Sequence, residues 1–427
     1  MTPHDNGSRI QIRLEGIAQG GEAVGRWKGK VIFAQGGLPG EVVALCLTAQ
    51  RRSFARGVVE EVLQPSLDRI EPRCPLFGPC GGCHWQYVAY PAQVDLKRTI
   101  VGEQCQHLGR VAEPPVAAPL AMEEPWGYRS TAELHLSSAG LVGYYAARSH
   151  EVVPLEDGCP LLVPALDELL PPLQRLLPTL NPADRPTDLT MRWSWAEGCA
   201  LLLLVGGTHQ GARHLCEELS GLVSEVIWRH GRQMEVLCGR GYFHEVLDDL
   251  PLRVSPTAFF QVNVPQARCL LQIVRALLDP RPEDHLLDAY AGVGALSLPL
   301  LGAVRQVTAI ESHPAAVADL RANVRRWADA GQVKVLAGRV EHVLSAQRGK
   351  YDLVVLDPPR RGCAPAALRA ILAGRPRRIV YVSCHPGTLA RDIRILIEGG
   401  YCLQSIQPVD LFPQTFHVES VALLEGV

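Results

Sequence analysis

The sequence lacks any apolar run long enough to cross a membrane. Its longest apolar runs, such as Ala200–Val205, fall well short of the roughly 20 residues that span a bilayer. The first ten residues, Met1–Ile10, also lack the basic start and apolar stretch of a secretion signal, and they include Asp5. These absences argue against a membrane protein and predict a cytoplasmic location.

The chain also has no excess of positive charge and few aromatic residues. Lys and Arg number 42 against 44 Asp and Glu, which gives a net charge of −2, and aromatic residues make up 6%. Without a global positive field, any surface that binds nucleic acid has to be local. The 427 residues, of which 47% are hydrophobic and 20% charged, predict a globular protein of about two to three domains.

The number of cysteines, thirteen, is odd, and a reducing cytosol disfavours disulfides. Four cysteines form the pattern C-x5-C-x2-C followed much later by DGCP; they are Cys74, Cys80, Cys83 and Cys159. Four thiolates suit an iron–sulfur cluster or a zinc ion, and the spacing does not separate the two. With a fourth cysteine available, we expect a closed site without radical chemistry. The other cysteines lie singly in apolar surroundings and are predicted to be core.

Residues 9–63 consist of short alternating segments interrupted by glycines, such as Ile10–Leu14 and Glu41–Leu47. Short strands at this spacing predict a small β-barrel in an N-terminal domain over residues 1–66. Basic residues in its predicted turns and edges either follow a phosphate backbone or solvate the strand edges. These residues are Arg9, Arg13, Arg26, Lys28, Lys30, Arg51, Arg52 and Arg56.

The rest of the chain divides where its periodicity changes. Residues 67–254 mix strands with a polar helical stretch at Pro91–Leu108, and prolines keep any helices in Leu161–Pro186 short. After Leu252, strands and helices alternate, which predicts a doubly wound α/β sheet over residues 255–427. Its last two strands are expected to form a hairpin.

A glycine loop follows the first strand of this predicted sheet. LLDAYAGVGALSL places Gly292 and Gly294 between the strand and a helix from about Ala295, where missing side chains let the backbone approach a ligand. Glu311 ends the next strand, where a carboxylate can accept both ribose hydroxyl protons. Asp288 either holds the loop or caps the strand. The single GxG favours S-adenosylmethionine, which has no pyrophosphate, over NAD.

Two further strands end in residues suited to chemistry on a base. YDLVVLDPPRRG and IVYVSCHPGTLARD place Asp357 and Cys384 at the crevice where such sheets bind ligands. Cys384 is either a small buried hydrophobe or a nucleophile. A thiol that adds to C6 of uracil makes C5 able to attack a sulfonium methyl, after which a base must remove the C5 proton. Glu419 in TFHVES is the candidate base, with His385 and His417 as rivals.

Two other segments, PWGYRST and SPTAFFQVNVPQ, contain residues that could contact an extruded base. Phe259 can stack on the base, Gln261 can read its edge, and Arg129 can hold a phosphate or a base oxygen. For each residue, and for Tyr128 and Asn263, the alternative is packing or a helix cap.

Taken together, these residues resemble the S-adenosylmethionine-dependent RNA uracil-C5 methyltransferases, in particular a bacterial branch that acts on 23S ribosomal RNA. The resemblance runs from about Gln11 to Leu424 and depends on the four cysteines, FFQVN, LDPPRRG, SCHPGTLARD and HVES. It implies a Rossmann-like class I methyltransferase fold at the C-terminus, an OB-like TRAM barrel that grips RNA, and a central α+β domain. It also implies a monomer that flips the target uridine out of the RNA.

The resemblance further implies a role for each site residue. Cys384 is the nucleophile and Glu419 the base, with Arg129 in the catalytic set. The residues implied to bind S-adenosylmethionine are Gln261, Tyr290, Gly292, Gly294, Glu311 and Asp357. The residues implied to bind the uridine are Phe259, Gln261, Asp357 and Ser383. A [4Fe-4S] cluster is implied on Cys74, Cys80, Cys83 and Cys159. The chain departs from many relatives by having Ala291 and Ala295 in place of Cys and Asn.

Other functions remain open at this point. Some transfer RNA enzymes of this group lack both the barrel and the cluster cysteines. The presence of both in this chain therefore favours ribosomal RNA as the substrate, and transfer RNA is the alternative. Cytosine-C5 methylation would use the same thiol addition. A third possibility is an RNA-binding or redox-sensing iron–sulfur protein without turnover.

Overall fold

The computed structural model describes residues 7–347 and 349–426. Its strands form a closed five-stranded barrel, a central seven-stranded sheet, a two-stranded sheet and a C-terminal seven-stranded sheet. No helix in these ranges is long and apolar enough to cross a membrane.

The barrel occupies the N-terminal part of the chain, and its strands neighbour one another in the order β1-β2-β3-β5-β4. They are β1 (Arg9–Ile17), β2 (Ala23–Trp27), β3 (Lys30–Gln35), β4 (Val42–Gln50) and β5 (Phe54–Gln64). Alternate residues of β1 are buried, as the period of two in a strand requires. Leu14, Ile32 and Leu45 fill the interior. The predicted barrel is therefore confirmed.

The central sheet has the order β12-β11-β10-β9-β6-β7-β8. Its strands are β6 (Thr131–Leu136), β7 (Val142–Tyr145), β8 (Val152–Pro154), β9 (Asp188–Ser194), β10 (Cys199–Val205), β11 (Glu225–His230) and β12 (Gln233–Cys238). The helices here are α1 (Tyr90–His107), α2 (Pro164–Asp167), α3 (Leu170–Leu176) and α4 (His209–Glu218), with a 3-10 turn at Leu177–Thr179. Helices α2 and α3 are as short as the prolines predicted. The two-stranded sheet pairs β13 (Phe243–Leu247) with β14 (Leu250–Val254).

The C-terminal sheet has the order β17-β16-β15-β18-β19-β21-β20. Its strands are β15 (His285–Ala289), β16 (Gln306–Glu311), β17 (Val333–Ala337), β18 (Leu353–Leu356), β19 (Arg378–Ser383), β20 (Tyr401–Val409) and β21 (Glu419–Gly426). Its helices are α5 (Val264–Leu278), α6 (Pro314–Trp327), α7 (Val340–Ala346), α8 (Pro365–Gly374) and α9 (Pro386–Glu398). Strands β15 to β19 are parallel, and β20 and β21 form the predicted antiparallel hairpin.

Two predictions from the sequence are wrong. The helix expected from about Ala295 is a series of turns followed by a 3-10 helix at Leu298–Ala303. Pro299 has no N–H to donate to the carbonyl of Ala295, so an α-helix cannot begin there. Cys238 and Cys402 are exposed rather than core, because β12 and β20 are edge strands of their sheets. Cys105 and Cys363 are buried, as predicted.

Candidate active site

The candidate active site lies at the carboxyl ends of the parallel strands in the C-terminal sheet. Ala289 at the end of β15 pairs with Leu356 at the end of β18, so Tyr290 and Asp357 leave the sheet side by side. Cys384 leaves the neighbouring strand β19 at the same edge. Since doubly wound sheets bind ligands at this edge, these residues line the expected crevice.

The backbone of the glycine loop is held in a conformation open to few residues. Tyr290 has a φ of 79°, and Gly292 and Gly294 have φ values of 55° and 94°. A side chain on Gly294 would come within 2.6 Å of Leu298, so glycine is required there. The loop therefore packs closely on its neighbours, and the N–H groups of Tyr290 and Ala291 both donate to the carbonyl of Ile310.

Glu311 fastens this loop to the end of β16. Its carboxylate accepts a hydrogen bond from the N–H of Gly292 at 2.9 Å, and from the N–H groups of Ser312 and His313 at 2.6 Å each. A carboxylate has about four acceptor positions, so one remains for a further donor. The predicted junction of glycine loop and acidic residue is present, and a ribose hydroxyl would suit the remaining position.

Two acidic side chains lie next to each other beneath the crevice. Burial raises the pKa of Asp288 to about 7, and its Oδ2 has no hydrogen-bond partner among the described residues. Burial, and then the neighbouring Asp288 carboxyl, raise the pKa of Asp357 to about 7. Two carboxyls this close do not both ionise readily, so near neutral pH the pair holds a proton.

Cys384 and Glu419 come together because β21 runs antiparallel to β19. Ser383 pairs with Ser420 in this ladder, so Cys384 and Glu419 lie at the next position along the two strands. Glu419 is only 2% exposed, and its Oε1 has no partner among the described residues. Burial, and then Asp357, raise the pKa of Glu419 well above its ordinary value. Glu419 thus brings a buried carboxyl, with Oε1 free of hydrogen bonds among the described residues, close to the thiol.

The thiol of Cys384 is half-buried between charges of both signs. Burial, followed by the carboxyls of Glu419 and Asp357, raises its pKa to about 11, and the guanidinium of Arg360 opposes this rise. Cys384 also directly precedes His385, the N-cap of α9. The positive end of a helix stabilises a thiolate. The free site therefore holds a thiol that has to be activated when substrate binds.

The two rival bases have other contacts. His385 caps α9, since its Nδ1 accepts a hydrogen bond from the N–H of Thr388 at 3.2 Å. Burial, and then Arg360, lower the pKa of His417 to about 3. Nη2 of Arg360 lies 3.4 Å from Nε2 of His417. Burial, and then Arg360, also lower the pKa of His385, so both rings are neutral near pH 7, and each is already held by a neighbour.

Two of the predicted substrate residues, Phe259 and Gln261, lie in the segment between β14 and α5. Phe259 is 65% exposed, as a ring that stacks on a base would be, and Gln261 is partly buried nearby in sequence. Asn263 instead caps α5: its side chain accepts from the N–H of Gln266 at 3.2 Å and donates to the carbonyl of Leu411 at 3.1 Å. For Asn263, the alternative of a helix cap is what the structure shows.

Ser383 and Arg129 face different surroundings. Ser383 is buried at the end of β19, and its Oγ accepts a hydrogen bond from the N–H of His385 at 3.2 Å. The structure brings Arg129 together with the cysteine pocket, where its Nε donates to the carbonyl of Thr131 at 3.0 Å and its guanidinium lies 5.8 Å from the Tyr144 ring. Arg129 thus supplies a positive charge beside the cysteines.

The four predicted metal ligands share one pocket. Its apolar walls include Leu76, Phe77 and Leu155, and the cysteines on it are Cys74, Cys80, Cys83 and Cys159. Burial raises the pKa of Cys83 to about 12, and the other three thiols add to this rise because they lie near it. Among the described residues, no three His, Cys, Asp or Glu side chains are arranged around a single metal ion. Four neighbouring thiols in an apolar pocket are the type of donor that both iron–sulfur clusters and zinc sites use.

Sequence reasoning missed two residues of the site. Arg360 is part of the quoted LDPPRRG motif, but its proximity to the thiol depends on how β18 and β19 end. Gln19 belongs to the barrel and lies against His385. Nothing in its local sequence indicates this contact, because 366 positions separate the two residues.

Comparison with known proteins places these features in context. A family model described as tRNA (uracil-5-)-methyltransferase matches residues 225–427. An uncharacterized RNA methyltransferase of Gloeobacter violaceus is 39% identical over 98% of this chain and 97% of its own length. One of Thermosynechococcus vestitus is 36% identical, covering 99% of each chain. The two relatives are similar to nearly the whole chain, whereas the family model matches only its C-terminal part.

A solved structure is similar over nearly the whole chain. It is the Pyrococcus abyssi tRNA (uracil-54, C5)-methyltransferase in complex with S-adenosyl-L-homocysteine, with a TM-score of 0.77 and 22% identity. The match covers 97% of this chain and 99% of that chain. At this level of identity the likeness concerns the fold, and it confirms the class I methyltransferase sheet together with the OB-like barrel.

Proposed function

Since the chain belongs to the S-adenosylmethionine-dependent RNA (uracil-5-)-methyltransferases, we propose that it methylates C5 of a specific uridine in 23S ribosomal RNA. The observation that carries this proposal is the pairing of β19 with β21, which sets Cys384 beside the buried, unpaired Glu419. A thiol and a carboxyl so placed can act at C6 and C5 of one pyrimidine. We further propose that the enzyme works as a monomer in the cytoplasm.

The glycine loop and Glu311 are the proposed binding site for the methyl donor. S-adenosylmethionine supplies an electrophilic methyl group on a sulfonium sulfur. Glu311 would accept one ribose hydroxyl at its free acceptor position. An added side chain on Gly292 would meet nothing within 4 Å, so the donor can approach the backbone there, and Gly294 keeps the loop in its conformation. Tyr290, Gln261 and Asp357 would complete the walls of this site; Ala295 has no polar side chain, so backbone amides serve in its place.

In the proposed reaction, Cys384 and Glu419 act in turn. The thiolate of Cys384 forms a bond to C6 of uracil, and the electron pair of the C5–C6 double bond moves towards C5 and the C4 carbonyl. C5 then bonds to the methyl group, and the electron pair of the broken S–CH3 bond stays on the sulfur, which leaves as S-adenosylhomocysteine. Glu419, as a carboxylate, then removes the C5 proton, and the electron pair of that bond forms the C5–C6 double bond as the Sγ–C6 bond breaks. A raised pKa makes Glu419 a stronger base for this step.

The uridine must leave its RNA stack to reach Cys384. We propose that Phe259 stacks on the flipped base, that Gln261, Asp357 and Ser383 contact its polar edge, and that Arg129 supports the catalytic set from the cysteine pocket.

The three proposed domains are 1–66, 67–254 and 255–427. Cations of the first domain that form no ion pair among the described residues would contact phosphates. These cations are Arg13, Arg26, Lys28, Lys30, Arg51 and Arg52.

The proposed role of the cysteine pocket is to hold a [4Fe-4S] cluster on Cys74, Cys80, Cys83 and Cys159, with zinc as the alternative. The cluster would join the loop of residues 74–83 to the region of Cys159 and so stabilise the central domain. His84 directly follows this loop, and its ring lies 4.5 Å from that of Phe416. Phe416 in turn lies three residues before Glu419 in the chain, so the loop ends near the active site.

Replacing one of these ligands is expected to remove the metal and weaken the fold. For Cys83→Ser we expect loss of iron and acid-labile sulfide, and a free energy of unfolding in urea lower by about 3 kcal/mol or more, because metal-binding energy adds to folding energy. Cys402→Ser, on an exposed edge strand, is the matched control. Zinc without sulfide in the wild type would contradict the cluster, and unchanged stability of Cys83→Ser would contradict its structural role.

The experiment that tests the substrate is tritium release from RNA labelled at uridine C5. With S-adenosylmethionine, we expect release from 23S ribosomal RNA at least about tenfold faster than from transfer RNA, the margin that separates a preferred substrate from a competitor. The second candidate, a transfer RNA uridine, is favoured by the whole-chain likeness to the Pyrococcus abyssi enzyme. Faster release from transfer RNA would establish that alternative, and nucleoside mass spectrometry would show any 5-methylcytidine.

A further inference from the structure

The loop between β1 and β2 reaches the active site from the barrel. We define this barrel loop as Ala18–Glu22. Within it, Nε2 of Gln19 lies 2.9 Å from Nε2 and 3.2 Å from Nδ1 of His385, the residue after Cys384. A side chain on Gly387 would meet Oε1 of Gln19 at 2.7 Å, so the first turn of α9 packs directly under this carboxamide. The barrel thus touches the turn that bears the nucleophile.

The barrel loop is fixed from its other side as well. The indole N–H of Trp85, a fully buried residue, donates a hydrogen bond to the carbonyl of Gly21 at 3.2 Å. A side chain on Gly21, whose φ is 76°, would meet Phe416 at 2.8 Å. Ile17, at the end of β1, belongs to the same apolar cluster as Trp85. These contacts hold the barrel loop in place, so the position of Gln19 is fixed by packing on both sides of the loop.

Gln19 contacts a ring whose other nitrogen is already in use. Nδ1 of His385 accepts the N–H of Thr388, so the neutral ring bears its hydrogen on Nε2. Rotation of the Gln19 carboxamide by 180° about its Cγ–Cδ bond exchanges Oε1 and Nε2, so that the oxygen accepts the hydrogen on Nε2 of His385. Gln19 then fixes the orientation of the His385 ring, the ring caps α9, and the cap sets the backbone turn at Cys384.

We propose that Gln19 is a positioning residue for Cys384, so that the N-terminal barrel contributes to the chemical step as well as to RNA binding. This inference rests on the proposed function of Cys384. Around the thiol, Glu419 and Asp357 provide negative charge, and Arg360 and the start of α9 provide the opposing positive field. Loosening the cap of α9 would weaken that positive field and misplace the sulfur.

The direct test is Gln19→Met, which keeps the length of the side chain and removes its hydrogen bonds. We expect kcat to fall about fivefold to tenfold while KM changes less than about twofold, since a misplaced nucleophile affects the chemical step. In the free protein, alkylation of Cys384 by iodoacetamide at about pH 8.5 should slow about threefold, because the thiolate fraction falls. Exposed Cys402, followed by peptide mass spectrometry in the same sample, is the reference thiol.

The matched control is Gln11→Met, the same substitution at an exposed position of β1. It should leave both readouts at their wild-type values. His385→Asn provides a second route, because Asn is a good N-cap but is too short to reach Gln19. If Gln19 and His385 act through one contact, kcat of the double variant, Gln19→Met with His385→Asn, should be no lower than that of the slower single variant.

Three results would overturn the positioning role: wild-type kcat in Gln19→Met, a raised KM with kcat unchanged, or losses that add in the double variant. If Gln19→Met does not fold, His385→Asn tests the same contact. Cys384→Ala is assayed beside these variants. Turnover by Cys384→Ala would refute the proposed function itself, whereas an inactive Cys384→Ala with an unaffected Gln19→Met refutes only this inference.

Discussion

Cys384→Ala is expected to lower turnover at least about 1,000-fold and to abolish covalent attachment to RNA, because no other group can form the bond to C6. The structure gives the reason in the position of the thiol, at the end of β19 and beside Glu419 on β21. Tritium release measures turnover, and denaturing gel electrophoresis measures the adduct. Binding of S-adenosylmethionine should be unchanged, since the glycine loop and Glu311 do not involve Cys384.

Cys402→Ala is the control for this experiment, because Cys402 is exposed on the edge strand β20 of the same sheet. It should release tritium at the wild-type rate. Adduct formation or substantial turnover by Cys384→Ala would refute thiol addition by this residue. If the wild type itself failed to bind the methyl donor, that result would favour the hypothesis of an RNA-binding or redox-sensing iron–sulfur protein without turnover.

Glu419→Gln is expected to slow product release by about 10²- to 10⁴-fold, the range for loss of a general base. Addition of the thiol and methyl transfer precede removal of the C5 proton, so methylated RNA should remain attached to Cys384. The trapped species should carry label from methyl-labelled S-adenosylmethionine and migrate with the protein on a denaturing gel. The amide keeps the size of the side chain, which is buried and 2% exposed.

The matched control is Glu425→Gln, in the same strand, where the carboxylate pairs with Arg378 at 2.8 Å away from the crevice. This variant should turn over normally and leave no adduct. Free methylated product from Glu419→Gln at the wild-type rate would show that another group takes the proton. His417 would then be the next residue to replace, because it lies two positions earlier in the chain.

The pKa values of this site also predict how its reactivity depends on pH. With the pKa of Cys384 raised to about 11, the thiolate fraction of the free enzyme rises about tenfold per pH unit below that value. Alkylation of Cys384 should follow this slope. The carboxyls of Asp288 and Asp357, with pKa values raised to about 7, lose their shared proton near neutral pH and make the thiolate harder to form. The slope should therefore flatten between about pH 6 and 8.

Much of the site could be predicted from local sequence because its residues stand at the ends of regular strands. The alternation of strands and helices after Leu252 predicted the C-terminal sheet, and Asp357 and Cys384 followed from the rule that parallel strands end at one edge. The helix expected from Ala295 was wrong since the effect of Pro299 outweighs the pattern around it. The exposed cysteines were misjudged because alternation does not show which strands lie at an edge.

The chemical groups of the site can be identified from the sequence alone: the strand-end thiol and carboxyls, the glycine loop with its acidic partner, and the four cysteines. These follow from patterns with short periods, which depend on neighbours along the chain. Which of these groups come into contact depends on how the sheets and the barrel pack together. The antiparallel return of β21 sets Glu419 beside Cys384, and packing of the barrel sets Gln19 on His385. Such contacts join residues far apart in sequence, and their positions depend on how whole sheets pack.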